Sequence, residues 1–116
     1  MRFENLEIWK LSSNLSADVY LCLRDLKDYG FKDQITRSCL SIPSNIAEGI
    51  ERISEKKKRQ FLSIAKGSLA EFKTQTYIGM KVGYISADIG QGWIEKSEKV
   101  TAMLSKFMRK LAPTDL

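Results

Sequence analysis

The chain has 116 residues, 43% of them hydrophobic, with 19 Lys and Arg against 14 Asp and Glu, a net charge of +5 and no histidine. That length suits one domain, residues 1–116, with a core needing no staple. The missing histidine excludes His-assisted serine or cysteine catalysis, most zinc sites and the Glu-x-x-His di-iron site of helical bundles, so no enzymatic activity, cofactor or metal is expected. No apolar run approaches about 18 residues and no signal-like start is present, so a soluble, cytoplasmic chain without membrane partners is expected.

The elements follow as an all-α chain, an antiparallel up-down four-helix bundle with short connections. A first helix near 5–27 starts from Asn5 as cap and carries the stripe Ile8, Leu15 and Cys22, with Trp9 beside it. Tyr29-Gly30-Phe31 reads as the first turn. In a second helix near 33–52, Ile35, Cys39, Ile42, Ile46 and Ile50 follow at spacings of four, three, four and four. That rhythm passes through Pro43, which lacks a backbone N–H and crowds the preceding turn, so a kinked helix is expected rather than two helices. A third helix near 54–83 takes Ser54 as cap and Gly83 at its end; a fourth near 87–111 takes Ser86 as cap and is followed by Pro113. Cys22 and Cys39 form no C-x-x-C pattern and read as two reduced core thiols.

On the third helix, Phe61, Ile64, Ala65, Leu69, Phe72, Ile78, Gly79 and Val82 spread over well beyond half the circumference. A surface helix of a monomer needs a stripe of roughly 100°. The excess predicts a second burial partner, most simply another copy of the chain; a central helix in a compact monomer is the alternative. Ala65, Gly67, Ser68 and Gly79 would let another helix approach closely.

Ser68, Glu71 and Gln75 lie within that apolar arc. The second helix offers a complementary polar stripe of Gln34, Arg37, Ser41, Ser44, Asn45, Glu48 and Arg52. A buried network of Arg37, Ser41, Asn45, Glu48, Ser68, Glu71 and Gln75 is expected, with Arg37 or Arg52 pairing Glu71 or Glu48. Asn45 is expected to donate to a carbonyl freed at Pro43. The alternative is a polar groove for a small ligand or a phosphate. Glu48 and Glu71 could offer a metal only weak oxygen ligation.

Residues 52–59 read R-I-S-E-K-K-K-R, opening the third helix with cations where the helix dipole is already positive. Each cation in that first turn costs about 0.3–1 kcal/mol at low salt, part of it recovered by a Glu55–Arg59 pair, so helix stability does not account for them. Lys106, Arg109 and Lys110 end the fourth helix, where they suit the dipole. In an up-down bundle the two clusters share one end. Arg52, Lys56, Lys57, Lys58, Arg59, Lys106, Arg109 and Lys110 are therefore the candidate contacts to RNA or DNA, electrostatic and tolerant of sequence. Trp9, Trp93 and Phe107 read as core packing rather than stacking platforms.

One set of residues carries a resemblance. Phe3, Leu6 and Trp9, then Gln34 and Arg37, the block Ser41-Ile42-Pro43-Ser44-Asn45-Ile46-Ala47-Glu48-Gly49, the segment Phe61 to Glu71, Thr74-Gln75 and Gly83-Tyr84 match in order and spacing. Together they resemble the bacterial four helix bundle proteins, also called 23S rRNA-intervening sequence proteins. Where relatives carry two adjacent basic residues and two alanines before that block, this chain has Thr36-Arg37-Ser38-Cys39. The resemblance implies a ring of five subunits. Some relatives are encoded within insertions in large-subunit ribosomal RNA genes, and similar bundles are accessory subunits of reverse transcriptases in diversity-generating retroelements, binding RNA and the enzyme. The resemblance thus implies a non-enzymatic oligomeric scaffold for nucleic acid, most readily RNA, or for a reverse transcriptase or other ribonucleoprotein partner. A protein-only assembly module and, further off, a small-ligand binder are the alternatives.

Overall fold

The computed structural model describes residues 2–111; Pro113 lies outside them. Among the described residues there are four α-helices and no strand: α1 Glu7–Leu23, α2 Tyr29–Glu51, α3 Glu55–Lys81 and α4 Ala87–Arg109. They form a four-helix bundle with extents of 45 × 23 × 22 Å. Each helix packs against two neighbours, in the cycle α1, α2, α3, α4. Numbers rising along α2 pair with numbers falling along α3: Ser38 meets Gln75, Ser41 meets Ser68, and the Ile50 carbonyl meets Lys58.

Helix starts follow local chemistry, with two corrections. Asn5 does not cap α1. It ends a single 3-10 turn, Phe3–Asn5, and Leu6 takes the cap position without a side-chain bond. Tyr29-Gly30-Phe31 is not a turn either, because Asp28 Oδ1 accepts from the Phe31 amide at 3.1 Å and starts α2 there. A side-chain acceptor for an otherwise orphaned amide outweighs the small propensity penalty of Gly30. Ser54 and Ser86 cap α3 and α4 through the amides of Lys57 and Ile89. Gly83 adopts φ +83°, a conformation open to glycine, and Tyr84 and Ile85 then donate to the Gly79 carbonyl. That return brings Ile85 onto Gly79, where a Cβ would overlap Ile85 Cδ1.

α2 is continuous through Pro43, whose ring is buried. Asn45 Nδ2 donates to the Ser41 carbonyl at 2.8 Å and to Ser41 Oγ at 2.9 Å, so the carbonyl it serves is not that of Cys39, the one Pro43 leaves without its helical donor. The core comprises Leu15 and Val19 from α1, Ile35, Cys39, Ile42 and Ile46 from α2, Leu62, Ala65, Leu69 and Phe72 from α3, and Trp93, Val100 and Leu104 from α4. Cys22 is exposed, against expectation; only Cys39 belongs to the core. No helix among the described residues is long and apolar enough to cross a membrane.

Candidate nucleic-acid interface

The connection between α2 and α3 is three residues, Arg52, Ile53 and Ser54, with extended backbone at Arg52 and Ser54. Extended chain sends successive side chains to opposite sides. Ser54 turns its hydroxyl onto the start of α3. Arg52 folds back to Glu48 at 3.3 Å, with its guanidinium carbon 4.8 Å from the centre of the Phe61 ring. Ile53 is left pointing outward, 98% exposed.

The cations of this end divide into two groups. Lys58 Nζ donates to the Ile50 carbonyl at 2.9 Å and so caps the end of α2. Arg59 reaches across to α4, its Nη2 placed 3.4 Å from the Met108 carbonyl and 3.5 Å from that of Leu111. Both bonds set a cation against the negative end of a helix dipole. The Arg59 link also brings the start of α3 beside the end of α4. Lys56, Lys57, Lys106, Arg109 and Lys110 are exposed and have no ion-pair partner among the described residues. They therefore form the outward part of the basic end, while Arg52, Lys58 and Arg59 help to hold it. A cation's role in tying helix ends together is not visible in a run of like charges.

The polar seam between α2 and α3 is smaller than expected. Ser38 Oγ donates to Gln75 Oε1 at 2.6 Å, and Ser41 Oγ lies 2.8 Å from Ser68 Oγ. With Asn45 bonded to Ser41, these five side chains make two hydrogen-bonded groups along the seam, Ser38 with Gln75 and Asn45 with Ser41 and Ser68. The charged residues stand outside it. Glu71 is exposed, with no hydrogen bond or ion pair among the described residues, and is not paired internally as expected. Arg37 pairs with Asp33 one turn earlier on its own helix, at 3.0 Å, and Glu48 with Arg52. Such exposed i,i+4 pairs contribute little to stability. The reason is geometric: Glu71 lies at the solvent edge of the seam, where water solvates it more cheaply than a buried cation would.

A cleft of about 220 Å³ opens on this seam, lined by Gln34, Arg37, Ser38, Ser41, Ser68 and Glu71. Asn45 and Glu48 are not among its walls, and its volume is below the roughly 300–1,000 Å³ of typical small-molecule sites. Among the described residues no three His, Cys, Asp or Glu side chains gather where they could hold a metal.

One surface escaped the sequence reading. A groove of about 490 Å³ between α1 and α2 has Phe3, Trp9, Tyr20, Leu40, Pro43 and Ala47 among its walls. Trp9 is thus half-buried, edge-on to Phe3 at 5.3 Å between ring centres, while Trp93 is core, 6.0 Å from Phe72. The small residues Ser13, Ala17, Ser44 and Ala47 deepen this groove, and their recurrence on facing helices was its available signal. The outer face of α3 carries part of the apolar arc expected from the sequence: Ile64, Ile78 and Val82 are about half exposed, and Gly67 has open space beside it.

The molecule is therefore a four-helix bundle with one basic end, an apolar groove between α1 and α2 and an apolar outer face on α3. The chain belongs to the 23S rRNA-intervening sequence protein family, which it matches over residues 4–106. It is similar in fold to a crystal structure of a protein with unknown function from the S23 ribosomal protein family of Bacteroides thetaiotaomicron. That likeness has a TM-score of 0.83 and 20% identity, covering 89% of this chain and 99% of the other. No curated protein matches the chain.

Proposed function

We propose that the protein is a non-enzymatic, oligomeric scaffold that binds nucleic acid, RNA in the first place, through its basic end. The observation carrying this reading is the group Lys56, Lys57, Lys106, Arg109 and Lys110, exposed together and unpaired among the described residues. Cations at the positive end of a helix oppose the dipole, so Lys56 and Lys57 weaken α3 unless an anionic partner meets them. Self-association would repeat the basic end around a ring, multiplying a weak phosphate contact by avidity. Ile64, Ile78 and Val82 on α3 supply the apolar surface for such a contact, and a ring of five is the assembly that the sequence resemblance favours. A reverse transcriptase or another ribonucleoprotein component in the cytoplasm fits the same surface as a partner.

The test is a salt titration of RNA binding with the parent and with Lys56, Lys57, Arg109 and Lys110 replaced by glutamine. Lys58 and Arg59 are kept because they bond to helix ends. The parent is expected to lose affinity steeply with salt, and the variant to bind weakly with a shallower slope and unchanged melting. Equal binding by both would exclude this end as the site. The second reading, a protein-only assembly module, is favoured by the apolar groove between α1 and α2 and takes precedence if the parent binds no RNA at low salt.

A further inference from the structure

Ile53 is 98% exposed, far more than any other large hydrophobic side chain described, and it lies in the connection that leads into the basic start of α3. Its position is imposed rather than loose: Ser54 is held by capping α3 and Arg52 by Glu48 and Phe61, so the residue between them is directed away from the bundle. A purely electrostatic phosphate contact has no use for an aliphatic side chain there. Charge selects an anionic partner, and the apolar tip selects one that also offers an apolar surface within reach of its phosphates.

Resting on the reading of the basic end as a nucleic-acid site, we infer that Ile53 is an apolar base contact and that the preferred ligand is single-stranded or bulged RNA. Every unstacked base has an apolar face close to its own phosphate, and RNA-binding proteins reach such bases where the strand is not paired. Aliphatic side chains, isoleucine among them, are used elsewhere as wedges against base steps. An intact A-form duplex hides those faces by stacking and presents phosphates, 2′-hydroxyls and polar base edges instead. Lys56 and Lys57 follow in the first turn of α3 and are exposed, adding positive charge close along the chain. The nearby carboxylates are Glu51, Glu55 and the Arg52-bound Glu48, so the surface around Ile53 is not uniformly basic. A contact made by one side chain against a base face carries no code for base identity, and sequence preference is expected to be slight.

The experiment compares the parent, Ile53→Asn and the fourfold lysine and arginine variant on an unstructured RNA strand and on a blunt RNA duplex. Duplex carries the higher charge density, so electrostatics alone favour it. The parent is expected instead to prefer the single strand. Ile53→Asn should lose about tenfold on the single strand, the order expected for exposing one buried aliphatic side chain. It should lose nothing on the duplex and keep the slope of affinity against salt. A 2-aminopurine base in the strand should change fluorescence with the parent and not with Ile53→Asn. Melting should not change, since the side chain touches no core.

Parent binding that is indifferent to Ile53→Asn overturns this inference and leaves the basic end intact as a phosphate site. No parent binding to either RNA overturns both. Ile53-dependent binding to phosphatidylserine vesicles with no preference between the RNAs also overturns it, and assigns the tip to a lipid surface.

Discussion

Ser41 and Ser68 face each other across the α2–α3 seam with their hydroxyl oxygens 2.8 Å apart, and Ser41 also accepts from Asn45. The two serines join the helices at a point where a larger side chain would push them apart. Ser68 is 9% exposed, so its hydroxyl has little water to turn to if Ser41 is removed.

Ser41→Ala and Ser68→Ala are each expected to lower stability by about 1 kcal/mol, the usual net contribution of a hydrogen bond whose partner is stranded. The double variant should cost less than the sum, because the second change removes the orphan left by the first. Glu71→Ala, by contrast, should change stability by less than about 0.5 kcal/mol, as for an exposed unpaired residue. Urea denaturation of the parent and these four variants measures each change.

Gly67 and Gly79 should respond in opposite senses to alanine. A Cβ at Gly67 meets nothing within 4 Å, so Gly67→Ala should stabilise α3 by about 0.5–1 kcal/mol through helix propensity. At Gly79 it would overlap Ile85 Cδ1 and come within 3.0 Å of Phe31, and Gly79→Ala should destabilise by about 1–3 kcal/mol. If the outer face of α3 is an assembly surface, Gly67→Ala should also weaken self-association in light scattering while raising the melting temperature of the dilute protein.

The two thiols should separate cleanly in a labelling experiment. Burial pushes the Cys39 thiol from the ordinary 9.0 up to about 12, while Cys22 is exposed. A disulfide reagent near pH 8 is expected to label Cys22 at once and Cys39 only after denaturation, because the thiolate is the reactive form. Since the folded pKa is the higher, the neutral thiol's stabilising contribution is complete below about 9 and is lost as pH rises towards 12. The limiting slope is about 1.4 kcal/mol per pH unit, and it should be missing from Cys39→Ala.

Pro43 is expected to bend α2 by more than about 20°, as prolines inside helices do, with the bend within a turn of that residue. Residual dipolar couplings of the amides before and after Pro43 would give the two axis directions. A straight axis would mean that the buried ring is accommodated by packing alone.

Much of the fold was legible in the chain. Isoleucines and leucines at three- and four-residue spacing define helices because only that period keeps them on one face, and Ser54, Ser86 and Gly83 mark ends because their local chemistry suffices. The family motif around Pro43 was equally plain. What periodicity cannot say is which arc of a helix its neighbours cover. It places Glu71 at an angle on α3 but not inside or outside the seam, and it places Cys22 on a seven-residue stripe that drifts off the buried face of α1, which runs through Val19 and Leu23. Asp28 decided the start of α2 by one local bond that a glycine in the next turn disguised. Arg59 is the clearest case. Its reach to the carbonyls of Met108 and Leu111 depends on two helix ends meeting in space, and only the tertiary structure turns one cation of a basic run into the tie between them.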